Sequence, residues 1–405
     1  MREAKGIWNR SVPVNKFPPE ILIHIALFFE KERDLINATA ICQRWRTVLV
    51  FCPGLWRNAG GSRSEIEAYL QRSKATQLDV NLSHPSLVDL IVPHTSRLAG
   101  LTVRLDKSSS IDQFVNRLDY FIPTLHTFGI SVMDRYQILE VPSDLRSPLF
   151  PSLKKLNING LLMFHGPQVF PNVTELTWHT GVSKPCYAIP SMAGFLNTLK
   201  QLPSLERVYV TFHAGFEANV GFFTKVVTLP QVQEMSLSKM NPLDESHFPH
   251  ILKFLQLPRL TTLCVEAAGQ LRSKCPIFPE ITFAEQLPNF TELPEMRVDT
   301  GSGEITFRNP SGATLKYRTD KLRQYGDKGM IGLEGLSLHT VQRLILDIAP
   351  SQPIPHSESA WLANLLWDLS CLEHLDIWGK CSDAVLRRCD QIMKSHSRSA
   401  GGGRS

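Results

Sequence analysis

The chain has 405 residues, enough for one large domain plus a small one, or for a repeat array. Its formal net charge of +5 is modest, and Lys and Arg are scattered rather than run together with aromatics, which argues against nucleic-acid binding. The opening MREAKGIWNR lacks the apolar core of a signal peptide. The longest apolar stretch, Ile21 to Phe29, is interrupted by His24 and is too short to span a bilayer, so no membrane role is expected.

Residues 1–14 are expected to be flexible. Two short amphipathic helices are expected next. Pro18 and Pro19 suit a first helical turn, and Glu20 complements the helix dipole there. Ile21, Leu22, Ile25, Phe28 and Phe29 then recur at helical spacing. Asp34 is placed to N-cap a second helix, along which Leu35, Ala38, Ile41, Cys42, Trp45, Val48 and Leu49 step by three or four. Pro53 and Gly54 break it, and Leu55 and Trp56 add an apolar anchor. So small a unit cannot bury both stripes internally. The stripes therefore cap a downstream domain or dock on a partner.

The segment resembles an F-box. Pro18, Glu20, Ile21 and Leu22 match the start of that family's pattern, and Asp34 and Leu35 the middle. Ala40, Cys42, Trp45 and Arg46 match the second helix; Pro53, Leu55 and Trp56 match the end. Phe17 replaces the usual leucine, and Gln43 stands where a basic residue is common. The resemblance implies an F-box over 15–60 that docks on a Skp-type adaptor, and through it on cullin and RING subunits. The residues it implicates in adaptor binding, or in holding the docking helices, are Phe17, Pro18, Glu20, Ile21, Leu22, Ile25, Leu35, Trp45, Leu49, Leu55 and Trp56.

Through the rest of the chain runs a cassette of the form (P)-x-L-x-x-L-x-[IVL], as in PSLKKLNI from Pro151, PSLERVYV from Pro203 and PRLTTLCV from Pro258. Its central apolar residue falls at Leu78, Leu101, Phe128, Leu156, Leu176, Val208, Met235, Leu263, Leu344 and Leu375. Most steps are roughly 20 to 32 residues, the leucine-rich-repeat range. The last two apolar residues of a cassette are two apart and so share one face of a strand. Linking stripes read as helices: Phe114, Leu118, Phe121 and Ile122; Phe195, Leu196, Leu199 and Leu202; Trp361, Leu362, Leu365, Leu366 and Leu369. The expected fold class is an α/β repeat: a small helical F-box, then a leucine-rich-repeat-like solenoid over 61–394. The resemblance is to the divergent repeats of many fungal F-box proteins.

Between Leu263 and Leu344 the period lapses. There 296–318 alternates apolar and polar residues between Gly-rich turns, which predicts an antiparallel β-meander inserted in the array, either padding at the sheet's edge or a place for partner contacts. From 395 to 405 the chain reads as a polar, disordered tail.

No catalytic motif stands out, and the 13 histidines are dispersed. The eight cysteines form no C-x-x-C pair and read as reduced thiols of a cytoplasmic or nuclear protein. No cofactor, metal or enzymatic activity is expected. Recognition of a target protein is expected from the outward strand face, with Arg207, Tyr209, Arg343 and Trp378 as first candidates because Arg, Tyr and Trp anchor interfaces, and with His374 beside them; the alternative for each is a solvated, mixed-charge sheet face. The expected function is the substrate-recognition subunit of an SCF-type ubiquitin ligase; the alternative is a non-ligase F-box interaction scaffold.

Overall fold

The computed structural model describes residues 12–29, 32–105, 114, 122–132, 139–141, 150–160, 162–164, 170–180, 192–212, 226–239, 250–267, 283–319, 336, 338–348, 359–379, 386–387 and 389–394. Expectations for residues 1–11, for Leu118 and Phe121, and for the 395–405 tail lie outside them. The chain falls into two compact units, residues 1–134 with 141–159 and residues 135–140 with 160–405.

The first unit opens with a 3-10 turn, Pro13–Lys16, so ordered structure begins before residue 15. Three helices follow instead of two: α1 (Pro19–Leu27), α2 (Glu32–Ile41) and α3 (Gln43–Val50). Asp34 lies inside the first turn of α2 rather than capping it. The second expected helix is divided at Cys42, whose φ of −158° and ψ of 171° are extended. Arg46 Nε donates to the Thr39 carbonyl across this break at 3.0 Å, satisfying one of the end carbonyls of α2.

Leu22, Ala26, Leu35, Ala38, Trp45, Leu49 and Trp56 are buried. Among them sits a buried Asn15, whose Oδ1 accepts from Trp45 Nε1 at 2.8 Å and from Cys42 Sγ at 3.7 Å. An indole N–H needs an acceptor when it leaves water, and Asn15 supplies it. Trp56 donates to the Leu49 carbonyl at 2.8 Å. Its ring meets Tyr69 edge-on at 4.9 Å, with the Arg72 guanidinium 4.3 Å from its centroid. Both partners belong to α4 (Arg63–Arg72), which starts with a Ser62/Glu65 capping box. Arg97 closes the other end of α4, donating to the Leu70 carbonyl at 2.8 Å, Ser73 Oγ at 2.8 Å and the Thr76 carbonyl at 3.2 Å.

The unit continues in strands β1 (Asn58–Ala59), β2 (Leu78–Leu82), β3 (Leu98–Leu105), β4 (Thr127–Val132) and β5 (Lys155–Asn159), all parallel and in chain order. Leu101, Phe128 and Leu156 align as the cassettes require. The first cassette is displaced: Val80, not Leu78, sits opposite Leu101. Leu78 pairs Leu98 and Asp79 pairs Gly100, so Ala99 is an extra residue that bulges β3. Phe128 packs between Phe114 (6.1 Å) and Phe150 (5.4 Å).

The second unit holds β6 (Glu175–His179), β7 (Arg207–Phe212), β8 (Glu234–Lys239), β9 (Thr262–Ala267), β10 (Glu295–Asp299), β11 (Glu304–Arg308), β12 (Thr314–Thr319), β13 (Arg343–Asp347) and β14 (His374–Trp378). Their order is β6-β7-β8-β9-β12-β11-β10-β13-β14. The strands of the expected meander pair antiparallel, but they do not pad an edge. β12 pairs parallel with β9, and β10 pairs parallel with β13. One apolar row therefore crosses all nine strands: Leu176, Val208, Met235, Leu263, Leu315, Phe307, Met296, Leu344 and Leu375. The helix Met192–Lys200 buries Phe195, Leu196 and Leu199, and Phe195 lies 5.1 Å from Trp178 and 6.0 Å from Phe212. The helix Ser359–Asp368 buries Leu362, Leu365 and Leu366, followed by a buried Leu369.

The cassette's proline has a local task. In Phe150-Pro151-Ser152-Leu153 the Leu153 N–H donates to the Phe150 carbonyl at 3.2 Å, and the same four-residue turn recurs at Phe170–Val173, Leu202–Leu205, Leu229–Val232 and Leu257–Leu260. Proline pre-sets φ at the second position of such a turn. A copy at Leu287–Phe290 leads into β10. Its sequence, LPNFTELPEMRV, carries extra residues before the strand, which hid it from the cassette pattern.

Three substitutions test these contacts. Asn15→Ala leaves the Trp45 indole N–H buried without that acceptor, with an expected loss of about 1–3 kcal/mol in urea unfolding; a loss under roughly 0.5 kcal/mol would remove Asn15 from its assigned place. Gly312 (φ +88°) and Gly379 (φ +99°) both need the left-handed region, but only at Gly379 would a Cβ meet a backbone atom, the Ile348 carbonyl oxygen at 2.1 Å. Gly312→Ala is expected to cost about 1–2 kcal/mol from backbone strain alone, and Gly379→Ala distinctly more. Equal thermal shifts for the two would contradict this packing.

Candidate functional site

Two surfaces are candidates for recognition. The first lies on the N-terminal helices. In α1 the buried Leu22 and Ala26 define one side. Ile21, His24 and Phe28 follow one another at helical spacing on the other, and all are exposed, Phe28 to 82%. Phe17 extends this stripe from just before the helix, and Arg44 Nη2 of α3 holds its carbonyl at 2.7 Å. Leu27, Ile41 and Phe51 are also exposed. Scattered single apolar residues on a surface are ordinary, but a stripe of them on a small folded unit marks a place for a partner.

The residues expected at this surface divide into two groups. Phe17, Pro18, Glu20 and Ile21 are exposed, and Ile25 and Leu55 are half-buried. Leu22, Leu35, Trp45, Leu49 and Trp56 are interior and hold the helices in place. In the sequence Leu27 and Phe51 carry no mark as surface residues, and Phe28 and Ile41 read only as members of apolar stripes. The available signal was the width of that stripe, broader than one buried face requires.

The second surface is the polar face of the sheet in the second unit. Cross-strand ion pairs cover much of it. Arg207 pairs Glu175 on β6 at 3.1 Å, and the hydrogen bond between them raises the Arg207 pKa. Tyr209 is half-buried, and its phenol pKa is raised by burial and by its hydrogen bond to Glu234. Glu304 receives Arg318 at 2.8 Å and Lys316 at 3.4 Å. Burial pushes the Glu304 carboxyl up, but hydrogen bonds from Arg318 and Thr306 and the Lys316 charge outweigh it, leaving the carboxyl below its ordinary value. Burial keeps Cys264 above the usual thiol pKa despite its hydrogen bond to Ser236, so it is a thiol rather than a nucleophilic thiolate. At the far end, Arg297 pairs Asp347 at 2.7 Å and Arg343 pairs Asp376 at 2.7 Å.

The five residues expected to bind a target do not form one patch. Arg207 and Tyr209 lie on β7, Arg343 on β13, and His374 and Trp378 on β14. Six strand spacings separate β7 from β13, roughly 30 Å at ~4.8 Å each. Among the described residues no group of three His, Cys, Asp or Glu could hold a metal ion, and no helix is long and apolar enough to cross a membrane.

No curated protein matches the chain. Residues 14–59 match the family model described as F-box-like. The span runs from the Pro13–Lys16 turn through α1, α2 and α3 to β1, and includes both the Asn15–Trp45 pair and the exposed stripe. The chain therefore carries an F-box-like domain, and its three N-terminal helices are the body of that domain.

Proposed function

We propose that the protein is the substrate-recognition subunit of an SCF-type ubiquitin ligase, acting in the cytoplasm or nucleus. The F-box-like domain binds a Skp-type adaptor and, through it, cullin and RING subunits. The sheet that follows holds a target protein. We read this sheet as a leucine-rich-repeat-like solenoid, a reading supported by the recurring proline turn and the unbroken apolar row. The chain contributes no chemistry of its own. It raises the local concentration of target lysines beside a charged conjugating enzyme, which turns a bimolecular encounter into a tethered one.

The observation that carries this reading is the exposed stripe of Phe17, Ile21 and Phe28 on helices whose other side is fully packed. Those side chains contribute little to the interior, so their exposure suits a partner rather than the fold. The buried residues Trp45 and Trp56 act by holding α1 and α3, not by contact.

The test separates the two roles. Ile21→Asp with Phe28→Asp is expected to leave stability within about 0.5 kcal/mol of the parent, because both sites are exposed. Adaptor affinity is expected to fall by roughly 30-fold or more, as loss of an interface anchor does. Co-purification with adaptor and cullin reads out both steps. Adaptor without cullin would replace the ligase with the non-ligase scaffold. Undiminished adaptor binding by the double variant would rule out this stripe as the docking surface.

A further inference from the structure

β14 ends the strand order of the second unit, and its last residue, Trp378, is 65% exposed on the polar face. The backbone beneath this ring is fixed. The Trp378 carbonyl accepts from the Ile348 N–H at 2.8 Å, and Gly379 turns the chain immediately afterwards with a φ of +99°. Two carboxylates stand beside the indole. Asp347 is its register partner on β13, and Asp376 lies two residues earlier on the same strand face. Neighbouring strands lie about 4.8 Å apart and alternate residues about 6.6 Å apart, so one cationic group can reach all three side chains.

The charges here are only half used. Asp347 receives Arg297 Nη2 on Oδ2, and Asp376 receives Arg343 Nε and Nη2 on Oδ2. Among the described residues, neither Oδ1 accepts a hydrogen bond. Asp299, next to Asp347 in register on β10, directs its Oδ1 to the Gly301 and Ser302 amides. Among the described residues, Asp299, Asp347 and Asp376 thus stand near the guanidiniums of Arg297 and Arg343, beside an exposed aromatic face.

We propose that Trp378, Asp347 and Asp376 form a seat for a lysine or arginine side chain within a basic segment of the target protein. The choice of occupant follows from the charges. A purely apolar partner would strip water from two carboxylates without replacing it. An anionic partner would meet those carboxylates while Arg297 and Arg343 are already engaged. A cation satisfies both free oxygens and lies on the aromatic ring that binds cations best. The half-buried Ile345, opposite Asp376, offers the apolar floor for the stem of such a side chain.

The seat deepens the target-receptor reading and rests on it only for the identity of the partner. The experiment uses the full chain and a fluorescein-labelled peptide of alternating lysine and glycine, with a counterpart carrying glutamate in place of lysine. Fluorescence anisotropy is expected to show the lysine peptide bound and the glutamate peptide unbound, with affinity falling as salt is raised. Trp378→Ala, and separately Asp347→Asn with Asp376→Asn, are expected to weaken the lysine peptide about tenfold or more, while Trp378→Phe retains part of the affinity. Unchanged thermal midpoints confirm that the variants are folded. Equal binding of both peptides, no binding of either, or wild-type affinity in Trp378→Ala would overturn the seat. A dimer in wild type that dissociates in Trp378→Ala would overturn it in favour of a second copy as occupant. Adaptor co-purification is measured on the same proteins. Loss of adaptor from wild type removes the ligase reading and leaves the peptide result to decide the seat alone.

Discussion

Parallel pairing in register is the constraint on which the rest of the molecule depends. A strand shifted by one residue would turn its apolar set out to water and its ion pairs into the core. Two devices hold the register. The four-residue turn with proline at its second position starts the strand at a set distance from the preceding segment. A single carbonyl just before the neighbouring strand then accepts two successive N–H groups, as His126 does from Lys154 and Lys155, and Glu206 from Gln233 and Glu234. With each start fixed, Val208, Met235 and Leu263 fall in line, and Arg207 falls beside Glu175. The polar face is therefore a consequence of the core rather than an independent construction.

The F-box-like domain solves a different problem. Three short helices cannot bury much area. Their interior instead centres on two tryptophans whose N–H groups are each given an acceptor, Asn15 for Trp45 and the Leu49 carbonyl for Trp56. Trp56 also reaches Tyr69 and Arg72 on α4, so the domain shares an interior with the helix that follows it. With the packing carried by that interior, the other side of α1 is left free to present Ile21 and Phe28.

Much of this was legible in the sequence, and the exceptions have physical reasons. The cassettes placed most strands because period-two alternation and the proline turn are local properties. The Val80 register was not legible, because it depends on a bulge at Ala99 in the neighbouring strand. The position of the meander within the sheet was not legible either, since strand order is set by long-range pairing that alternation alone does not encode. In α1, Leu22 and Phe28 look alike as apolar residues at helical spacing; only the side that α3 covers distinguishes them. Asn15 gave no signal, because a single buried amide has no periodicity. The five candidates lie on the strand face opposite the apolar row, but their chain positions conceal that five strands stand between Arg207 and Arg343.

The reversed order of β10, β11 and β12 also bears on how the second unit assembles. From β6 to β9 each strand can add to the one made just before it, as in a zipper closing from one end. At β9 that route stops, because the next strand in the chain does not fit there. The place beside Leu263 belongs to Leu315, which comes two strands later. The antiparallel pairings of β10, β11 and β12 are local in the chain, and they join β9 through β12 and β13 through β10. The pairing of Leu263 with Leu315 is a non-local contact, of the kind that slows folding relative to pairing between successive strands.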